Sequence, residues 1–165
     1  MHPDKITEMT IKAAMDVHTA LGPGLLEAVY ENCLAYELRS NDLAVQQQVS
    51  LPVTYKQVRL ELGYRLDLLV NEIVVVEIKA IEALTSVHKA QLLSYLRLSG
   101  KPVGLLINFN VVHLRDGIKR VVNGLDESKS SASIASSAFD FPKQTAQGRI
   151  EGLHRAREAD EPVEL

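Results

Sequence analysis

The chain has 165 residues, 46% of them hydrophobic, and a net charge of −3. That is enough to bury one core of ordinary size and too acidic for a protein that coats nucleic acid through bulk charge. Its single cysteine, Cys33, excludes an internal disulfide and a four-cysteine zinc site and suits a reducing compartment.

No apolar run approaches the roughly 20 residues needed to cross a bilayer. The start, Met1-His2-Pro3-Asp4-Lys5, lacks the basic-then-apolar pattern of a signal peptide, so a cytoplasmic location is expected. Apolar positions at helical spacing predict a helix from about Ile6 to Leu21, carried by Ile11, Ala14, Met15 and Val17 and stopped by Gly22-Pro23-Gly24. A second helix is expected from about Leu26 to Arg39, with Val29, Cys33, Leu34 and Leu38 as its buried stripe. Segments rich in β-branched residues follow at about Ala44 to Tyr55, Val58 to Leu62, Leu66 to Val70 and Ile73 to Ile78. They read as a meander broken at Lys56-Gln57 and Asn71-Glu72. A helix from Val87 to Ser99 closes at Gly100-Lys101-Pro102, and Val103 to Phe109 reads as a buried strand returning to the sheet. A last strand or short helix covers about Val111 to Val122.

Beyond Gly124 the composition changes. Ser128 to Ser137 is a low-complexity stretch of small residues, and Gly148 to Leu165 is charged with few apolar anchors. Residues 1–124 therefore read as one domain and 125–165 as a disordered tail with, at most, a short helix near Ile150 to Glu158. Five Lys/Arg and eight Asp/Glu fall from Asp126 onward, leaving thirteen of each before it. The domain is neutral, so charge gives no independent support for a nucleic-acid partner; Arg65, Lys89, Arg97, Lys101, Arg115, Lys119 and Arg120 are the cations available for a local patch.

The chemistry concentrates in Val74-Val75-Val76-Glu77-Ile78-Lys79, preceded by the isolated acid of Leu66-Asp67-Leu68. Residues two apart on a strand share a face, so Glu77 and Lys79 project together. Alone, such a triplet is a common surface ion pair. With a second carboxylate converging from the neighbouring strand it can hold a hard cation such as Mg2+, and a lysine beside it can orient water or offset charge on a phosphate. On the second helix Glu27, Tyr30 and Glu31 share a face, and Glu27 lies in the first turn, where the helix dipole favours an anion. His88, Gln91 and Tyr95 form a polar stripe expected opposite Leu92 and Leu96.

In order, Gly24-Leu25-Leu26-Glu27-Ala28-Val29-Tyr30, Asp67, Glu77-Ile78-Lys79, Gln91-Leu92-Leu93-Ser94-Tyr95 and Leu105-Leu106-Ile107-Asn108-Phe109 resemble the motifs of the GxxExxY family of the PD-(D/E)XK nuclease superfamily. The resemblance covers about residues 6 to 122. It implies an α/β (α+β) restriction-endonuclease-like core: a mixed central β-sheet flanked by helices, two N-terminal helices before the sheet, and a site where the central strands diverge. It implies that Asp67, Glu77 and the Ile78 carbonyl hold Mg2+ or Mn2+, with Glu27 contributing directly or through water, and that Lys79 is the catalytic lysine. Gln91 and Tyr95 are similar to the glutamine and tyrosine of the recombination-exonuclease branch, which help position metal and substrate. Two departures stand out: Arg65-Leu66 precede Asp67 without the superfamily's proline, and Lys89 stands where relatives often carry an acid.

The function so implied is metal-dependent hydrolysis of phosphodiester bonds in nucleic acid, DNA ahead of RNA, with no membrane and with a homodimer or protein partner left open. Lys79 is expected to be an exposed lysine whose replacement spares folding. The alternative is a non-catalytic nucleic-acid-binding or protein-interaction module on the same fold. Converging acids that repel phosphate without a metal favour the enzyme; the neutral domain favours the module.

Overall fold

The computed structural model describes residues 1–60 and 64–124; the expected tail, 125–165, with its short helix, and the expected strand end at Leu62 lie outside the described residues. Helix α1, Pro3–Leu21, starts with proline in its first turn and the His2 ring accepting from the Asp4 amide. It buries Ile6, Ala13, Ala14 and Val17, while Met15 turns out exposed. Thr7 and Thr10 are buried on the same helix because their hydroxyls donate to the Pro3 and Ile6 carbonyls, at 2.9 and 2.8 Å. Among the described residues no helix is long and apolar enough to cross a membrane.

Helix α2, Glu27–Ser40, is rotated from expectation: it buries Tyr30, Leu34, Ala35 and Leu38, leaving Val29 exposed and Cys33 half-buried. The tyrosine decides the rotation. Its ring stacks on Phe109 with centroids 4.5 Å apart, and its hydroxyl donates to the Gly22 carbonyl at 2.7 Å and accepts from the Leu25 amide at 3.1 Å. With its polar tip satisfied inside the turn, the ring is worth more buried than Val29. That turn requires Gly22 and Gly24, at φ 67° and 99°.

Strands β1 (Val45–Ser50), β2 (Val53–Tyr55), β3 (Val58–Leu60), β4 (Arg65–Val70) and β5 (Val74–Lys79) precede helix α3 (Ser86–Ser99), strand β6 (Val103–Asn108), the single turn α4 (Leu114–Gly117) and strand β7 (Ile118–Val122). The main sheet has the order β1-β4-β5-β6-β7, antiparallel except for β5 beside β6, which are parallel and joined through α3. The expected meander is therefore corrected. The long extended segment breaks at Leu51-Pro52, and β2 with β3 forms a separate hairpin inserted between the paired strands β1 and β4. Both readings of the last segment hold, a helical turn followed by a strand.

Two apolar layers enclose the sheet. Leu68, Val70, Val74, Val76, Ile78, Leu105 and Ile107 pack toward α1 and α2. Leu66, Leu69, Val75, Leu106 and Val121 pack with Leu92, Tyr95 and Leu96 of α3. Every residue of β6 is buried, which explains its unbroken apolar sequence. Gly104 lets α3 approach: a β-carbon there would stand 2.9 Å from a Leu92 methyl. The result is a mixed α+β domain with two helices ahead of a five-stranded mixed sheet, as the motifs imply.

Candidate active site

The central strands part where the acids are. Strands β4 and β5 pair through Val70 with Val74, Leu69 with Val75 and Leu68 with Val76, and the register stops there, one step before Asp67 would face Glu77. On the other side, the β1 register runs to Gln47 opposite Leu68 and resumes at Val49 opposite Leu66, skipping Gln48, which sits in the left-handed region at φ 53°. The Asp67 carboxylate takes over the lost ladder bond: its Oδ2 accepts from the Ile78 amide at 2.8 Å. An aspartate at this position thus ties the diverging strands together through its side chain.

Strand alternation puts Glu77 and Lys79 on the sheet face of Val75, beneath α3. Glu77 is only 3% exposed; its Oε1 accepts from the Lys79 ammonium at 2.7 Å, whereas its Oε2 is buried with no partner. Burial, reinforced by the neighbouring Asp67 charge, pushes the Glu77 carboxyl up to about 7 despite the Lys79 bond. Asp67 is raised in the same direction by burial, against the Ile78 amide and the Lys79 charge, with Glu31 and Glu27 adding to the rise. For Lys79, burial opposes the charged form, but the hydrogen bond it donates to Glu77 and the charges of Glu77, Glu27 and Asp67 outweigh it and hold the ammonium above its ordinary range. Lys79 is not the exposed lysine expected from sequence: its side chain is 16% exposed.

Glu27 opens α2 without capping it: no side chain caps that helix, and Glu27 Oε1 instead accepts from the Ala80 amide at 3.1 Å, just past the end of β5. Glu27 is thereby brought to the same strand end as Glu77 and Lys79. Glu31 is anchored by Gln48 at 2.8 Å. A residue without a sequence-assigned role, Asn108, is buried and grips the segment after Lys79, accepting from the Ile81 amide at 3.1 Å and donating to its carbonyl at 2.8 Å.

Gln91 and Tyr95 lie on α3 over the sheet face that carries Glu77, but they bond to each other, Gln91 Nε2 donating to the Tyr95 hydroxyl at 2.7 Å. The expected stripe is corrected in part. Tyr95 packs with Leu92 and Leu96 rather than opposite them, and His88 closes the helix start by accepting from the Thr85 amide at 3.0 Å.

Among the described residues no three His, Cys, Asp or Glu side chains are gathered so as to hold a metal ion. Two raised carboxyls, one with an orphaned buried oxygen, nevertheless form a donor pair whose chemistry suits a hard divalent cation, which needs few protein oxygens and keeps its own waters.

A family model of the PD-(D/E)XK nuclease superfamily matches residues 4–121. The chain belongs to this superfamily. Neither the curated proteins nor the solved structures searched gave a match. The matched span contains all of the sheet but its last residue, Val122, and every residue of the site, so the architecture is a restriction-endonuclease-like fold and its superfamily implies nuclease chemistry on nucleic acid.

Proposed function

We propose that this superfamily member is a divalent-metal-dependent nuclease of the GxxExxY branch, hydrolysing phosphodiester bonds of DNA in the cytoplasm. The observation that carries the reading is the splayed end of β4 and β5, where Asp67 and Glu77 sit raised toward neutrality beside the charged Lys79. Acids perturbed by burial and by a specific charge partner are candidates for a working site.

Asp67, Glu77 and the Ile78 carbonyl are the groups that would hold Mg2+ or Mn2+, with Glu27 beside them. Such an ion polarises a phosphoryl oxygen and acidifies a water. The chain's own residues do the rest. Asp67 and Glu77 share an uncompensated negative charge that draws a divalent ion into a half-dry site. Lys79 stays an ammonium, so it acts as a donor and a positive charge toward phosphate and not as a base at neutral pH. Glu27 and Asn108 fix the backbone at Ala80 and Ile81 and so hold the strand end that carries Lys79. Gln91 and Tyr95 orient each other over the same face and present an amide and a phenol to the substrate backbone. The preference for DNA follows from the likeness of this pair to the recombination-exonuclease branch.

The second reading, a binding or interaction module alone or as a homodimer, is favoured by the lack of a three-acid cluster among the described residues and by the neutral domain. A cleavage assay separates the two, using the purified full chain and Lys79→Ala on supercoiled, linear and single-stranded DNA and on RNA, each with Mg2+, Mn2+ or chelator. Metal-dependent cutting by the wild type, lowered by about 10³-fold in the variant, is expected. Absence of cutting, together with calorimetry showing no divalent-ion binding that needs Asp67 and Glu77, overturns the enzyme reading in favour of the module.

A further inference from the structure

The β2–β3 hairpin contributes little to either core: all of its residues but Val53 and Leu60 are exposed. It is anchored where the Leu51 amide donates to the Tyr64 carbonyl at 2.8 Å, on the chain leading straight into β4. Tyr64 lies three residues before Asp67, about 10 Å of extended chain. Because β4 runs antiparallel to β5, the hairpin leaves the sheet at the end that carries Glu77 and Lys79. An insertion that adds almost no buried area, placed at that end, calls for another role.

Beside it, a groove of about 500 Å³ is lined by Val53, Tyr64, Val87, Gln91, Tyr95 and Leu98. The Tyr64 ring, 46% exposed, stands with its centroid 6.2 Å from that of Tyr95 and tilted by 57°. The floor is thus an aromatic corner, and its polar tips belong to the Gln91–Tyr95 pair of the proposed site. The hairpin tip carries the exposed Tyr55 with the Lys56 ammonium 5.5 Å above its ring, Lys56 being held at φ 54° in the turn. From Leu51 to Arg65 the chain carries Lys56, Arg59 and the exposed Arg65 against one acid, Glu61. A neutral domain therefore carries a net positive charge and two exposed tyrosines on the hairpin and on the chain that leads from it into β4, the strand of Asp67.

Apolar faces flanked by cations suit one ligand chemistry well, an unpaired nucleobase on an anionic backbone: the base stacks, and the phosphates meet Lys and Arg. A duplex hides its base faces and gains nothing from an aromatic corner. We propose that the groove between the β2–β3 hairpin and α3 is a stacking site for unpaired bases, with Tyr64 as its platform, and that the substrate class is single-stranded nucleic acid or the single-stranded part of a branched or overhung duplex. The proposal rests on the nuclease reading for its nucleic-acid partner and deepens it by naming the strand form.

The test measures binding and cutting separately, on the full chain. In chelator at about 0.1 M salt, fluorescence anisotropy follows a labelled 20-nucleotide single strand, the matching blunt duplex and the duplex with a 3′ or 5′ overhang, using wild type, Tyr64→Ala, Tyr64→Phe and Lys56→Ala. Single strand and overhang should bind about tenfold tighter than blunt duplex. Tyr64→Ala should lose about tenfold on the single strand and little on the duplex, Tyr64→Phe should restore the affinity, and Lys56→Ala should weaken both forms and flatten the salt dependence. Thermal melting controls for folding, which an exposed tyrosine should not disturb.

Equal binding of single strand and blunt duplex, or no response to Tyr64→Ala, overturns the stacking site, and the groove would then suit an apolar peptide better. Cutting with Mg2+ combined with that result leaves the nuclease standing without the stacking site. Tyr64-dependent single-strand binding without metal-dependent cutting leaves the stacking site standing and removes the nuclease.

Discussion

Strands β4 and β5 behave as two different materials along their length. From Leu68 to Val70 and Val74 to Val76 they form a closed ladder, with aliphatic side chains buried on both faces. One step further the ladder opens: Asp67 bonds the Ile78 amide through its carboxylate, and Glu77 keeps a buried oxygen unsatisfied. An unpartnered buried acceptor costs on the order of 1–3 kcal/mol, which the packed half of the same strands must offset. The closed end holds the fold; the open end holds charge that the fold alone does not want. The proposed metal role of Asp67 and Glu77 would account for that local cost, and the contrast between the two ends can be broken from either side.

The open end is tested most sharply at Asp67. Asp67→Asn keeps an oxygen able to accept from Ile78, so the melting temperature should move by only a few degrees, while metal-dependent cutting should fall about 10³-fold or more and divalent-ion binding should weaken in calorimetry. A variant that cuts normally would show that Asp67 only ties the strands. Lys79→Ala demands the same paired readout. Because Lys79 is bonded to a buried carboxylate, its removal leaves Glu77 without its hydrogen bond and compensating charge and easier to protonate, so a loss of cutting must be compared with the change in metal affinity.

The closed end responds in the opposite sense. Leu68→Ala removes a fully buried side chain one residue from Asp67, and roughly 4 kcal/mol of stability should be lost in urea denaturation. Below the new melting temperature, the affinity for Mg2+ should change little. If metal affinity collapses with stability, the two halves are one cooperative unit and the comparison fails.

The sequence made some of this legible and hid the rest for physical reasons. Strand alternation holds along β5, so Glu77 and Lys79 share one face, and apolar runs mark β4, β5 and β6 closely. The α2 stripe was misplaced because tyrosine counts as polar by its hydroxyl, and only the turn at Gly22 shows that this hydroxyl is satisfied and the ring buried. The β2–β3 insertion reads as part of a meander because a strand carries no label of its partner; β1 pairs with β4 across the whole hairpin. Glu27 was readable as a dipole or cap residue, and its bond to Ala80 depends on how α2 docks on the sheet. Asn108 lies within the motif Leu105 to Phe109, but its role stays hidden in the sequence, since an asparagine at a strand end serves many turns equally well.

The smallest effect concerns protons, and its sign distinguishes the open end from an ordinary ion pair. A carboxylate stabilised by its lysine would have a lowered pKa, and stability would rise with pH through the acid range. Glu77 instead moves from 4.5 up to about 7 on folding. Between those values the folded chain binds more protons than the unfolded one, so stability falls as pH rises and levels off above about 7. The raised Asp67 pulls the same way from a lower starting point. Lys79, raised, contributes stability that persists through this window and is lost only in the alkaline range. In chelator, the unfolding free energy should therefore drop by roughly 2–3 kcal/mol from pH 4.5 to 7.5. Glu77→Gln should remove most of the slope and make the metal-free protein the more stable one at pH 7.5. Saturating Mg2+ should do the reverse at that pH, stabilising the wild type by mass action and leaving Glu77→Gln nearly unmoved. A wild-type stability that rises across this range would mean that Lys79 already neutralises Glu77, and the open end would then be a buried salt bridge with no need of a metal.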